Sequence, residues 1–186
     1  MACYDLYKIL KDELGNGSKD LVTRPSGQKV RERIERDIEK ESGGSVVALD
    51  FSKIGVIDYS CADEIVAKLV SRLLGGEYDD RYLLLLGLNE NQKENIEVAL
   101  ERKDLAVTAE LRDGRRLVLG NLNNYLKDTL DFVANKKKAT AKELSDARKL
   151  EANTSGTRLL NLHKKRLVKR VEELRPEGKV WVYETL

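Results

Sequence analysis

Residues 45–74 read SVVALDFSKIGVIDYSCADEIVAKLVSRLL, and this stretch decides the fold of the first two thirds of the chain. Its opening run, Val46–Leu49, is apolar throughout, which is typical of a strand with both faces buried. After a short loop, apolar side chains recur at the spacing of one helical face. They are Ala62, Ile65, Val66, Leu69, Val70, Leu73 and Leu74. A buried strand that leads into such a helix predicts a sheet covered by helices.

The segments on either side of this unit continue the alternation of strands and helices. Apolar patterns predict strands at residues 82–86 and 105–111. Residues 4–10 fit either a strand or a short helix, and we favour the strand. Asp113-Gly114 is the strongest turn signal in the chain and predicts a hairpin with a type I′ turn. The sequence therefore predicts an α/β domain over residues 1–120.

A helix is also predicted to begin near Pro25, before the central strand. Its apolar stripe consists of Val30, Ile34 and Ile38. Arg31 and Glu35 lie off this stripe, and their spacing predicts an ion pair on the exposed face of the helix.

The central stretch resembles the STAS domain, the fold of bacterial anti-sigma factor antagonists. That family carries Asp-Ser-Ser-Gly at the mouth of a helix that follows a strand and a loop. Asp58 and Ser60 match this motif, whereas Tyr59 and Cys61 depart from it. Asp50-Phe51 is a pair often found in a divergent STAS-like group, which is the nearer resemblance.

The resemblance extends over about residues 1–111 and implies a domain that binds a protein partner. In anti-sigma factor antagonists, phosphorylation of the motif serine breaks binding to a histidine-kinase-like ATPase. Ser60 is therefore the candidate phosphorylation site that the resemblance implies. The residues themselves equally allow Ser60 to be only a helix cap, with Asp63 supporting the first turn.

The last third of the chain differs from the rest in charge and in pattern. Residues 1–120 carry a net charge of −4 and residues 121–186 one of +6, which together give the +2 of the whole chain. A basic segment on an acidic body favours a surface that binds a polyanion. The pattern predicts three helices and a hairpin. The helices begin near Leu122, at Thr140 and at Thr154 or Ser155, and the strands cover residues 167–174 and 179–184.

This order resembles the winged helix-turn-helix of bacterial transcription regulators, and it predicts a small α+β winged-helix domain over residues 121–186. The resemblance implies that the third helix enters the major groove of DNA. The residues implied to reach base edges are Ser155, Thr157, Arg158 and Asn161. Those implied to contact phosphates are Lys164, Lys165, Arg166 and Lys179.

The composition gives no support for an enzyme, a metal site or a cofactor. Cys3 and Cys61 lack metal-ligand spacing, and His163 is the only histidine. The sequence contains no Gly-rich loop that would cradle a phosphate and no nucleophile elbow. No apolar run approaches the length of a membrane span, and residues 1–14 lack the apolar core of a signal peptide. We therefore expect no membrane contact and a cytoplasmic location.

These observations predict a bacterial regulator in which a STAS-like domain binds a protein partner and a winged helix binds DNA to control transcription. The alternative is a partner-switching adaptor of the anti-sigma factor antagonist type, in which phosphorylation controls binding to the ATPase and the winged helix docks a protein. The sequence leaves open a homodimer, including a purely structural one.

Overall fold

The computed structural model describes residues 1–15, 17–176 and 178–186 and divides into two compact units, Met1–Asn121 and Leu122–Leu186. We call them the first and the second unit. Asn16 and Glu177 lie outside the described residues, and with them lie parts of two predicted turns, at residues 15–18 and 175–178.

The first unit contains a five-stranded sheet that is mostly parallel, so the chain has the predicted mixed α/β character. The strand order follows the chain, with the first four strands parallel and the last one antiparallel. The strands are β1 (Ala2–Asp5), β2 (Val46–Asp50), β3 (Tyr82–Leu88), β4 (Ala106–Leu111) and β5 (Arg116–Gly120).

Helices connect the parallel strands of this sheet. Right-handed crossovers between strands that follow one another in order place all of them on one face. The helices are α1 (Leu6–Leu14), α2 (Arg24–Ile38), α3 (Tyr59–Ala62), α4 (Lys68–Leu74) and α5 (Glu90–Glu101), and a π-helical turn (Asp63–Ala67) joins α3 to α4. Alternate residues of the central strands, such as Leu49, Leu85 and Val107, pack with these helices in one apolar core.

The strand favoured for residues 4–10 ends at Asp5, so this preference is wrong beyond Asp5, and the alternative of a short helix is confirmed from Leu6 onward. Helix α1 begins at Leu6, and the Asp5 carboxylate caps it by accepting a hydrogen bond from the Lys8 N–H at 3.1 Å. Leu6, Ile9 and Leu10 are buried. Their spacing is that of a helical face, which a strand cannot present to a single core.

The side chains of Arg31 and Glu35 do pair, but the prediction that they do so on an exposed face is wrong. Arg31 Nη1 lies 2.6 Å from Glu35 Oε2, and both residues are 8% exposed. A second packed helix covers this side of α2, because Arg31 also contacts Glu64 in the π-helical turn.

The predicted hairpin at Asp113-Gly114 is present, since β4 and β5 pair in antiparallel register on either side of it. Its turn is not type I′, which needs positive φ at both central residues. The Gly114 N–H donates to Leu111 O at 3.0 Å, and of the loop residues 112–114 only Gly114 has positive φ, at 83°. This is the three-residue loop in which a left-handed glycine returns the chain to the strand.

The second unit contains three helices and a small antiparallel sheet. The helices are α6 (Asn124–Lys136), α7 (Ala141–Arg148) and α8 (Ala152–Lys164), and the strands are β6 (Lys138–Thr140), β7 (Lys169–Arg175) and β8 (Gly178–Glu184). The strand order in the sheet is β6-β8-β7. The helix start predicted at Thr140 is confirmed, and Thr140 and Glu143 form a capping box there.

Helix α8 begins earlier than the predicted caps at Thr154 and Ser155. It starts at Ala152 with Glu151 as its N-cap residue, and the turn before it is made by Lys149 in left-handed conformation, with φ at 51°. A lysine gives no sequence signal for a left-handed turn, whereas threonine and serine resemble caps wherever they occur.

Gly120 should be the glycine of the first unit that tolerates a methyl group least. Its φ is 88°, and an added Cβ would lie 2.2 Å from Leu105 O. We expect Gly120→Ala to lower the free energy of unfolding of this unit by about 3 kcal/mol or more, since backbone strain and overpacking add. Gly114→Ala is the matched control: it has similar φ but no neighbour within 4 Å, so we expect about 1–2 kcal/mol.

Urea unfolding followed by far-UV circular dichroism measures both changes. Trp181 is the single tryptophan and belongs to the second unit. Its fluorescence therefore follows the unfolding of the second unit, which the two substitutions should leave unchanged. Equal losses in the two variants would show that the close contact at Gly120 is absent.

Candidate nucleic-acid interface

The exposed side of α8 brings together three of the predicted base-reading residues. Thr157, Arg158 and Asn161 line one open cavity of about 390 Å³ within the second unit. Thr157 is exposed and the other two are half-buried. These side chains present hydroxyl, guanidinium and amide groups to the solvent, which are the groups that recognise base edges.

The cavity also contains residues that the sequence analysis did not select. They are Tyr125 at the start of α6, and Asn153 and Thr154 in the first turn of α8. The Arg158 guanidinium lies 5.3 Å from the centre of the Tyr125 ring, which is a cation–π distance. Asn153 and Thr154 were missed because the predicted helix began after them. No local signal links Tyr125 to α8, because the two helices meet only in the folded unit.

Two of the predicted base-reading hydroxyl groups have other environments. Ser155 is fully buried, so it faces the interior of the second unit and is not part of the solvent-facing surface. A turn of helix places its side chain with Leu159 and Leu162, which are also buried. Thr157 remains exposed, but its hydroxyl donates to Asn153 O at 2.8 Å.

The predicted phosphate-binding residues extend from α8 into the turn that follows it. Lys164 is exposed at the end of α8, in helical register with Asn161 and Thr157, and Lys165 and Arg166 follow in the turn. Neither Lys164 nor Lys165 forms an ion pair with a described residue. Lys179, on β8, lies apart from them in sequence, and its Nζ is 3.2 Å from Glu172 Oε2.

The first unit has a second polar site at the mouth of α3, where the predicted phosphorylation site lies. The Asp58 carboxylate accepts hydrogen bonds from the Cys61 N–H at 2.7 Å, from the Thr23 N–H at 3.2 Å and from the Ser60 hydroxyl at 2.9 Å. Burial raises the pKa of Asp58, but the two N–H groups and the hydroxyl outweigh it and lower the pKa overall. The carboxylate is therefore ionised at neutral pH and holds Ser60 in place.

Cys61 is unsuited to act as a nucleophile at this site. Its side chain is buried, and its thiol donates to Thr23 O at 3.0 Å. Burial, together with the charge of Asp58, raises the pKa of the thiol to about 12. A thiolate is the reactive form of cysteine, so it is scarcely populated here at neutral pH.

Behind this mouth, buried carboxylates of the π-helical turn are surrounded by cations. Glu64 is 1% exposed and lies within 3.3 Å of side-chain nitrogens of Arg24, Arg31 and Lys68. Asp63 contacts Arg24 at 2.9 Å and Lys103 at 2.5 Å. Together with the Arg31–Glu35 pair, these contacts connect α2, the π-helical turn and the end of α5. We call this set of residues the ion cluster.

The remaining candidate features have local explanations or are absent from the described residues. His163 Nδ1 lies 3.4 Å from Val168 O, beside the turn that follows α8. Within residues 1–15, 17–176 and 178–186, no group of three or more His, Cys, Asp or Glu side chains could hold a metal ion. No helix in this part of the chain combines the length and the apolar character needed to cross a bilayer.

The ion cluster should make the first unit sensitive to acid. Burial raises the pKa of Glu64, Asp63 and Glu35, but the neighbouring cations outweigh it and lower all three below their usual values. Their stabilising contribution is therefore complete above the unfolded-state pKa of about 4. It is lost as the pH falls through the folded-state values.

Glu64→Gln tests this prediction at neutral pH. Because it removes one of the two carboxylates that pair with the buried Arg31, while Arg24 and Lys68 are partly exposed, we expect it to lower the free energy of unfolding of the first unit by about 2–4 kcal/mol at pH 7. We also expect a shallower pH dependence below pH 4. Glu90→Gln, which removes an exposed partner of Lys93 and Arg115, should cost less than about 1 kcal/mol. Urea titrations at pH 3 to 7 measure both variants, and similar losses would contradict the role of the cluster.

The sequence matches no protein-family model, and no curated protein is significantly similar to it.

Proposed function

We propose that the second unit is a winged-helix domain that binds double-stranded DNA. The exposed face of α8 is the observation that carries this proposal. Thr157, Arg158 and Asn161 line one cavity there, and Lys164 continues the same face. Hydrogen-bonding groups followed by cations on one helix suit a helix that lies in the major groove.

The order of elements in the second unit supports the same interpretation. The chain runs α6, β6, α7, α8 and then the hairpin of β7 and β8, with β6 adjacent to β8 in the sheet. A winged helix has this order, with a third helix that reads bases and a hairpin that reaches the backbone. The hairpin carries Lys179, which is 72% exposed despite its contact with Glu172.

The electrostatics of the second unit also favour a polyanion. Residues 121–186 carry a net charge of +6. Lys136, Lys138 and Arg148 are each paired with a carboxylate within the unit. Arg158, Lys164 and Lys165 form no ion pair with a described residue. The positive charge of α8 is therefore available to neutralise phosphates, which gives most of the affinity for DNA.

In this proposal the first unit is a STAS-like domain that binds a protein partner and regulates the second unit. Its sheet with helices, and the cap at Asp58 and Ser60 after β2, agree with that assignment. The protein would then be a transcription regulator of the cytoplasm.

Binding of the full-length protein to a random-sequence duplex of about 30 base pairs tests the proposal. We expect binding at about 50 mM salt and a linear fall of log K with log salt concentration, with a slope near −3 to −4 if the four predicted lysine and arginine contacts form. Lys164→Ala should weaken binding to every sequence and make the slope less steep by about 0.9. Lys127→Ala is the control, because this exposed lysine lies on α6, on the other side of the helix from Tyr125.

Selection of preferred sequences from the same random pool tests base reading. At a selected site, Arg158→Ala or Asn161→Ala should cost about 1–3 kcal/mol and relax the preference at one position. Their affinity for unselected duplex should change less. An absence of binding at 50 mM salt, or equal effects of Lys164→Ala and Lys127→Ala, would contradict the proposal.

A partner-switching adaptor is the second candidate, and the mouth of α3 favours it. The Ser60 hydroxyl is half-buried and shares the Asp58 carboxylate with the N–H groups of Thr23 and Cys61. A phosphate on Ser60 would carry about −1.5 to −2 charges beside this ionised carboxylate. Repulsion would disturb the cap and the contact with the segment before α2, which changes the surface offered to a partner.

The corresponding experiment compares Ser60→Asp with Ser60→Ala in the full-length protein. A tagged chain is purified from its own host, and histidine-kinase-like ATPases are identified by mass spectrometry. We expect such an ATPase with the wild type and with Ser60→Ala, and its loss with Ser60→Asp because of the added negative charge. Retention of the ATPase by Ser60→Asp would exclude this mode of control.

A further inference from the structure

Strand β7 forms an open edge of the sheet in the second unit. The strand order is β6-β8-β7, and no described strand pairs with the outer side of β7. The strand is seven residues long and exposed, with Val171 41% and Leu174 83% accessible to solvent. A long exposed edge offers a row of backbone N–H and C=O groups to another strand.

The charges along this strand fall into two blocks of opposite sign. Lys169 and Arg170 are followed by Val171, and then by Glu172 and Glu173. Proteins protect edge strands by placing charges there, since a second copy then meets repulsion. In one arrangement, however, the order of charges on β7 attracts a second copy. An antiparallel copy centred on Val171 sets Lys169 against Glu173 of the second copy, and Arg170 against its Glu172.

Most other arrangements of two β7 strands bring like charges together. In an antiparallel pair the backbone groups of successive residues point to alternate sides, so a symmetric pair is centred on a residue. Centring on Lys169, Arg170 or Arg175 opposes two cations, and centring on Glu172 or Glu173 opposes two glutamates. Centring on Leu174 opposes no like charges, but it matches only Glu173 with Arg175 and extends past the end of β7. A parallel pair in register opposes every charge with itself. The centre at Val171 therefore stands out, and it matches charges on both faces of the strand.

We propose that two copies of the chain associate through β7, with the two-fold axis at Val171, to form a continuous six-stranded antiparallel sheet. The ion pairs that Glu172 and Glu173 form within one chain do not prevent this. Glu172 pairs with Lys179 at 3.2 Å, and Glu173 pairs with Arg175 at 3.2 Å and with Lys138 at 3.7 Å, and all of these side chains are at least one third exposed. Exposed pairs of this kind contribute little and exchange readily for others. The association does not require DNA.

Charge reversal in two complementary variants tests this interface. The first variant, Lys169→Glu with Arg170→Glu, opposes only negative charges across the pair, and the second, Glu172→Lys with Glu173→Lys, opposes only positive ones. We expect the wild type to have twice the mass of one chain by light scattering at about 100 μM, where a micromolar dimer is populated. Each variant alone should have the mass of one chain. An equal mixture should return to twice that mass, because every opposed charge is again matched.

Two further sets of variants control for the loss of the Arg170 side chain and for the change in net charge. Arg170 stacks on Trp181 at 3.7 Å, so the single variants Lys169→Glu and Glu173→Lys repeat the test with that stack intact. Lys127→Glu with Lys142→Glu changes the net charge as much as the first variant does, at exposed positions on α6 and α7, and should stay dimeric. A monomeric wild type, variants that remain dimeric, or mixtures that stay monomeric would each overturn the proposal.

Discussion

The buried carboxylate of Glu64 is the contact on which the helical layer of the first unit depends. Removing a charge from water is costly unless partners replace the lost solvation. Arg24 and Arg31 come to Glu64 from α2, and Lys68 comes from the next turn of its own helix. The carboxylate thus fixes α2 against the helix that begins at Asp58. Asp63 and Glu64 both lie in the π-helical turn, and the side chains of both contact Arg24.

Contacts between the start of α2 and the helix that begins at Asp58 continue at the mouth of α3. The segment before α2 donates to Asp58 through the Thr23 N–H and accepts from the Cys61 thiol, while Arg24 contacts Asp63 one turn further along. Ser60 lies within the first of these two sets of contacts, because its hydroxyl donates to Asp58. A charge added at Ser60 therefore acts on a segment that is bound from both sides, and this is the physical basis on which a local modification would alter the surface of the unit.

The sequence predicted the parts of the fold that local signals control, and failed where distant residues decide. The helix start at Thr140 was identified, because its signal lies within four residues, from Thr140 to Glu143. Arg31 was predicted to lie at the surface, because the spacing of residues along α2 gives no information about the helix that covers Arg31. In α8 the same limit applies: Arg158 and Asn161 follow from helical spacing, whereas Tyr125 joins them only because α6 packs beside α8.

The cations of the chain differ in what they are available to bind, and composition alone does not reveal the difference. Arg31 is held by buried carboxylates, so its charge serves the fold. Lys164 has an equal charge but no described ion-pair partner, so it is free to neutralise an anion. Lys179 is intermediate, because an exposed pair such as its contact with Glu172 exchanges at little cost. A net charge of +6 in the last third therefore supports the proposed binding of a polyanion only because part of it, on the exposed side of α8, forms no ion pair with a described residue.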